Sequence, residues 1–182
     1  MRLFLAIDLP DLCKQQLSKQ LYSLEKEYPS FNWVDIQNYH MTVQFFGETQ
    51  KKQDIIKKTN DILYDQQSFY LYATGLDLFM DGHITIYVRF RREHILDNLI
   101  KKVQNTFGQE FNSLKKFVPH VTVSRCRIPS KQQYFHLQKK IKKVDIDLDF
   151  KVTQLTLFES NMHFKKPVYT MVKTFLFLDN SQ

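Results

Sequence analysis

Two copies of one short pattern, His-x-Thr-x, stand 80 positions apart in a chain of 182 residues: His40-Met41-Thr42-Val43 and His120-Val121-Thr122-Val123. Each lies in an apolar, β-rich run, Tyr39–Phe46 and Phe117–Val123. Successive side chains of a strand point to opposite faces, so the His and Thr of each copy face the same way. Regular alternation puts His40, Thr42 and Gln44 on one face and Met41, Val43 and Phe45 on the other. In the second copy His120, Thr122 and Ser124 oppose Val121 and Val123. The apolar faces pack on helices; the polar faces must meet water, a partner or a ligand. If both polar faces line one groove, two imidazoles come within reach of one group.

Such a set suits phosphodiester cleavage without a metal. That reaction needs a base for the attacking oxygen, an acid for the leaving oxygen, and donors for the charge growing on the non-bridging oxygens. Imidazole serves both proton tasks because its ordinary pKa, about 6.5, lies near working pH. Threonine hydroxyls and a cation supply the rest. A single His-x-Thr is commonplace in structural strands. The second copy, with the same flanking polarity, carries the weight.

The elements that must position these strands read as follows. Residues 2–8 form a strand stopped by Asp8-Leu9-Pro10. Asp11 caps a helix over 12–28 with Leu12, Leu17, Leu21 and Leu24 on one side. Phe31–Asp35 is a short strand before the first motif strand at 39–46, which Gly47 closes. A helix over 52–66 turns Ile55, Ile56, Ile62 and Leu63 inward. Strands Phe69–Leu78 and His83–Phe90 form a hairpin through Asp81-Gly82. A helix over 92–107 carries Ile95, Leu99, Val103 and Phe107, and the second motif strand runs from 117 to 125. A helix over 131–143 follows with Tyr134, Leu137, Gln138 and Ile141 inward, then strands near 145–159, with a bend, and 168–178. The order predicts α+β with mainly antiparallel sheets, helices on their outer faces and two similar halves joined without a linker.

Bulk composition narrows the field. Hydrophobic residues make up 43% of the chain, including 16 Phe and 9 Tyr, enough for a packed interior. Four Gly leave no Gly-rich phosphate loop. A formal charge of +7, spread over scattered Lys pairs such as Lys57-Lys58 and Lys139-Lys140, fits an anionic partner or a solvated lysine-rich surface. Two cysteines, Cys13 and Cys126, have neither disulfide-scaffold nor metal spacing. No apolar run approaches the roughly 18–20 residues of a membrane span. The expectation is a soluble cytoplasmic monomer of one domain, 1–182, with no cofactor and no metal.

The residues around the two motifs resemble the 2H phosphoesterase superfamily, in its LigT-like branch of RNA 2′,3′-cyclic phosphodiesterases, long labelled 2′-5′ RNA ligases. The resemblance rests on Arg2-Leu3-Phe4-Leu5-Ala6-Ile7-Asp8-Leu9-Pro10 and on Asn38-Tyr39-His40 through Gly47-Glu48. Phe117-Val118-Pro119-His120 through Arg125, Leu155-Thr156-Leu157-Phe158-Glu159-Ser160 and Pro167-Val168-Tyr169 complete it. It implies a two-lobed, pseudo-symmetric fold with antiparallel sheets lining a central cleft. It also implies metal-independent opening of a 2′,3′-cyclic phosphate, on an RNA end or a cyclic nucleotide, to a 2′-phosphate. By that analogy His40 is the proton donor and His120 the proton acceptor, Thr42 and Thr122 bind phosphate oxygens, and Tyr169 stacks on a base. Arg125 falls on a phosphate-holding arginine of the family, yet its parity is opposite to that of His120. It reaches the cleft only if the strand ends or bulges near Ser124. Glu159, Lys166 and Phe46 depart from the family pattern.

Other residues are weaker candidates. His83, His94, His136 and His163 sit singly and read as structural or surface groups, while Trp33, Tyr39 and Phe79 could stack on bases or belong to the core. Two further functions fit the same residues: an RNA-binding module with little turnover, and a 2′-5′ oligonucleotide phosphodiesterase or ligase.

Overall fold

The computed structural model describes residues 1–80, 82–111, 116–127, 130–161 and 166–179. Along the chain run β1 (Arg2–Asp8), α1 (Asp11–Glu27), β2 (Asn32–Trp33), a 3-10 turn (Ile36–Asn38), β3 (His40–Glu48) and α2 (Lys52–Leu63). Then come β4 (Phe69–Met80), β5 (Ile84–Phe90), α3 (His94–Phe111), β6 (His120–Cys126), α4 (Lys131–Ile141), β7 (Asp149–Val152), β8 (Gln154–Asn161) and β9 (Val168–Leu176).

The strands form two sheets, in the orders β3-β1-β8-β9 and β2-β6-β5-β4-β7, and every pairing between these strands is antiparallel. The α+β, two-lobed architecture expected from the sequence is therefore present. Its internal symmetry is visible in the topology: β1-α1-β3 in one lobe and β5-α3-β6 in the other each return antiparallel to place a histidine strand beside the first strand. The lobes intertwine, since β4 follows the first half yet joins the second sheet, and β8 and β9 return to the first.

Strand β1 is buried from Leu3 to Ile7 because it is internal to its sheet and covered on both sides. Leu3, Leu5 and Ile7 enter the main core, shared with Ile84, Ile86 and Val88 of the second sheet. Phe4 and Ala6 point the other way, into a small aromatic cluster with Phe158 and Tyr169. That second cluster is the floor under the first histidine.

Several local expectations change. The N-cap of α1 is Pro10, with Asp11 the first helical residue, its carboxylate in the first turn where the helix dipole favours it. Its inward face is Lys14, Leu17, Leu21 and Leu24; Leu12 is exposed because it lies half a turn away from that stripe. The strand expected over Phe31–Asp35 shrinks to two residues, since the chain then coils into the 3-10 turn. Helix α2 ends at Leu63, α4 ends at Ile141 with Ser130 as N-cap, and α3 begins at His94 and runs on to Phe111. The expected bend within 145–159 is real: Thr153 separates β7 from β8. Gly82 has φ 66°, as a hairpin turn requires, while Asp81 lies outside the described residues, as does His163.

Candidate active site

Both motif strands begin at their histidine, and both histidines are held in the same way. The Nδ1 of His40 lies 2.7 Å from the Asn38 carbonyl, and the Nδ1 of His120 lies 2.8 Å from the Val118 carbonyl. A carbonyl only accepts, so each Nδ1 carries the proton and donates it, leaving Nε2 as the functional nitrogen. Different sequences build the two anchors. Asn38 closes the 3-10 turn, whose preceding carbonyl, Gln37, accepts from Lys14 Nζ at 3.2 Å. On the other side, Pro119 keeps Val118 extended.

Aromatic rings pack around each imidazole. His40 is 5.0 Å from Phe4 and meets Tyr169 edge-on at 5.2 Å. His120 meets Phe79 edge-on at 5.0 Å and Tyr87 at 5.5 Å, and those two rings stack at 4.0 Å. Burial lowers both imidazoles. It carries His40 to about 4, with His120, Lys14 and Arg125 pushing the same way and the Asn38 hydrogen bond opposing them. His120 is lowered chiefly by burial, with Arg125 adding to it and the Val118 hydrogen bond acting against it. Near neutrality both rings of the free protein are uncharged.

One difference separates the two. The Nε2 of His40 accepts from the Thr42 hydroxyl at 3.1 Å. The Nε2 of His120 has no such partner among the described residues.

After the threonines, both strands break step at the same place. Ala6 pairs with Thr42 and Leu5 with Gln44, so Val43 is an extra residue; Tyr87 pairs with Thr122 and Ile86 with Ser124, so Val123 is extra. Each bulge inverts the alternation downstream. Gln44 and Ser124, expected on the polar face, turn inward and are buried, Ser124 completely, its hydroxyl donating to the Asn32 carbonyl. Arg125 rotates onto the face of His120 and Thr122, which removes the objection raised by its parity. Phe45, expected on the core face, becomes 57% exposed.

The cleft between β3 and β6 has a volume of about 1110 Å³, just above the usual range for small-ligand sites. His40, Thr42, His120, Thr122, Arg125 and Tyr169 all line it. The structure thus brings every expected site residue to one cavity. Arg2 and Lys116 add positive charge, and no described lining residue is Asp or Glu. Of the weaker candidates, Phe79 and His83 border the cleft, whereas Trp33 and Tyr39 are buried in the core. His94 and His136 are exposed elsewhere. Among the described residues no group of three or more His, Cys, Asp or Glu side chains is placed to hold a metal, and no helix is long and apolar enough to cross a membrane.

Sequence reading missed three contributors. Lys14 is only 5% exposed and pairs with Asp8 at 2.8 Å beneath the turn that anchors His40. Arg2 and Phe45 were overlooked for their positions, one at the chain start and one on the wrong predicted face. The signal for Phe45 was Arg125 itself: a cation at a core-facing position demands a bulge, and the twin motif implies a second one.

Paired His and Thr side chains presented by twin strands in one cleft define the two-histidine phosphoesterase class. Comparison with known proteins agrees. The family description "2'-5' RNA ligase superfamily" matches residues 16–163, and the chain belongs to that family. It is 29% identical to an RNA 2′,3′-cyclic phosphodiesterase of Aquifex aeolicus over 151 residues, covering 79% of this chain and 80% of that protein. It is 24% identical to one from Methanocaldococcus jannaschii, covering 95% and 99%. Among solved structures, TT0787 of Thermus thermophilus has a TM-score of 0.76 at 21% identity, and E. coli LigT complexed with 3′-AMP one of 0.75 at 20%. Each of the two alignments covers 97% of both chains, so the fold is shared from end to end.

Proposed function

We propose that this protein is an RNA 2′,3′-cyclic phosphodiesterase that hydrolyses the cyclic phosphate at an RNA end, or of a cyclic nucleotide, to a 2′-phosphate without a metal. The observation that carries the reading is the pair of identically tethered imidazoles, each with Nε2 free of the backbone, in a cleft lined by cations and no described carboxylate.

One difference between the rings supports an assignment of the proton roles. His120 Nε2, without a hydrogen-bond partner among the described residues, takes a proton from water as the water oxygen attacks phosphorus. The lone pair of His40 accepts from the Thr42 hydroxyl in the free protein, which favours His40 as the donor in this reading. The bound phosphate anion offsets the desolvation that holds His40 neutral. Once protonated, the ring donates to O3′ as the P–O3′ bond breaks, and its low intrinsic pKa makes it a strong donor. Thr42, released from the imidazole, joins Thr122 in donating to the non-bridging oxygens, with Arg125 opposite the charge that develops there. Tyr169 braces His40 and turns its remaining exposed surface to the substrate.

The test is incubation of the EDTA-treated protein with RNA ending in a 2′,3′-cyclic phosphate. Steady disappearance of the cyclic phosphate is expected. Salt-sensitive RNA binding with no turnover would contradict the reading in favour of an RNA-binding module.

A further inference from the structure

Lys14 is buried against two rules at once. It is 5% exposed, and it lies in the first turn of α1, where the helix dipole disfavours a cation. Taking an ammonium out of water is expensive, and a buried ion pair seldom returns the cost as stability. We propose that Lys14 is the positioning residue of the first imidazole: it clamps the turn whose carbonyl orients His40 and fixes a positive charge behind that ring. Its effect on turnover rests on the phosphodiesterase reading above; its effect on the ring does not.

The clamp is a chain of contacts. Lys14 Nζ reaches the Asp8 carboxylate at 2.8 Å and donates to the Gln37 carbonyl at 3.2 Å. Asp8 ends β1 directly opposite His40 on β3. Gln37 precedes Asn38, whose carbonyl takes the Nδ1 proton of His40 at 2.7 Å. The ammonium therefore ties together the strand end beside the histidine and the turn before it. The Asn38 side chain is fixed as well, donating to the Pro167 carbonyl at 2.9 Å.

The charge also has a path to the ring. Asp8, Lys14 and His40 border a second cavity of about 290 Å³, which shares Asn38, His40 and Tyr169 with the cleft but none of the second lobe. The titratable and charged groups around the ring are His120 and Arg125 from β6, Tyr169 from β9, and Lys14 from α1, with Asp8 and Asp11 beyond it. Burial is the main cause that lowers His40, and Lys14 adds to it. A ring kept neutral until a phosphate anion arrives, and strongly acidic afterwards, is what a proton donor needs.

The second lobe has no counterpart among the described residues. There Pro119 restricts Val118, and the rings of Phe79 and Tyr87 pack against His120, on which Lys14 has no influence. The twin imidazole is thus an internal control.

The experiment is a proton–nitrogen NMR titration of the histidine rings in the free protein, which needs no turnover. It compares wild type, Lys14→Met, Lys14→Arg and the double variant Asp8→Asn/Lys14→Met, which removes the cation without stranding a buried carboxylate. In the wild type His40 should carry its proton on Nδ1 and titrate below His120. Both uncharged variants should raise His40 by roughly half a unit or more, about threefold in its protonation equilibrium, and leave His120 in place. Lys14→Arg keeps the charge and should keep the wild-type values. On a cyclic-phosphate RNA, kcat should fall about 10- to 100-fold in the uncharged variants, as for a misplaced acid, with KM little changed, and recover in Lys14→Arg. The wild-type order needs no variant and decides the matter if the uncharged ones do not fold. A wild type that opens no cyclic phosphate sinks the phosphodiesterase reading alone, and the titration still decides the role of Lys14. His40 titrating above His120 in the wild type, unmoved in the double variant, or moving only in step with His120, overturns that role.

Discussion

The two walls of the cleft share one strand plan and present different side chains. On both, a strand opens with a histidine tethered through Nδ1 to the carbonyl two residues earlier, passes a threonine and bulges at a valine. On the β3 wall the imidazole is hydrogen-bonded to its own threonine, and the bulge delivers a phenyl ring. On the β6 wall the imidazole Nε2 has no such partner among the described residues, and the bulge delivers a guanidinium. Shared geometry makes the pair; the proposed roles rest on the differences. A symmetric cleft would hold a cyclic phosphate equally well in two orientations, whereas the proposed roles require a single one.

The comparison breaks most visibly at the histidines. His40→Ala and His120→Ala are each expected to lower turnover of a cyclic-phosphate RNA by about 10²- to 10⁴-fold, the usual contribution of a positioned acid or base. The double variant should be little worse than the poorer single, because the two act as a unit. Rates within a few-fold of wild type in either single variant would show that the rings are not a pair.

The threonines test the difference. Thr42→Val and Thr122→Val should both slow turnover, by roughly 10- to 100-fold, as lost donors to a charged transition state. Only Thr42→Val should also move the pH profile of kcat/KM. The Thr42 hydroxyl donates to neutral His40, so removing it raises the pKa of that ring. Equal shifts from the two variants would erase the distinction. In the wild type both imidazoles are lowered, so the kcat/KM optimum belongs on the acid side of 6.5. The kcat optimum should lie higher, since the bound anion raises both groups.

Arg125→Met isolates the cationic wall. It should raise KM about tenfold with a smaller change in kcat, because the guanidinium attracts the phosphate before and during the reaction alike. No change in KM would mean that the bulge at Val123 exposes Arg125 without using it.

The smallest effect concerns stability. His40 has a folded pKa near 4 and an unfolded pKa near 6.5, so between these values the unfolded chain binds the extra proton. Its contribution is complete above pH 6.5 and declines as pH falls towards 4, by about 2 kcal/mol at pH 5. Urea unfolding of wild type and His40→Gln at pH 7 and pH 5 should show the dependence weakened in the variant. Parallel pH dependences would remove His40 from the linkage.

How much of this was legible in the sequence varies with the kind of signal. The histidine strands, the first strand and the antiparallel α+β plan follow from runs of apolar residues and from strong breaks such as Pro10 and Gly47. The two bulges do not. Phe45 and Phe46 are equally apolar, so no hydrophobic pattern says which one points inward; only pairing with β1 decides it. The same is true of Leu12 and Lys14. Lysine is read as exposed, yet Asp8 and the Gln37 carbonyl give its ammonium partners beneath the His40 turn, whereas Leu12 lies off the buried stripe. The Nδ1 tethers were also invisible, because they depend on carbonyls, which every residue has. The cleft became an expectation through family resemblance, and the register of the strands then placed Arg125 within it.

The most direct measurement is the identity of the phosphate left on the RNA. A 2′,3′-cyclic phosphate can open at either oxygen, and phosphorus-31 NMR of the product distinguishes the two isomers. With His40 as donor to O3′ and the two walls unlike, the wild-type protein should yield the 2′-phosphate alone. A 3′-phosphate, or a mixture of both isomers, would contradict the assignment of the two histidines and the single orientation on which it depends.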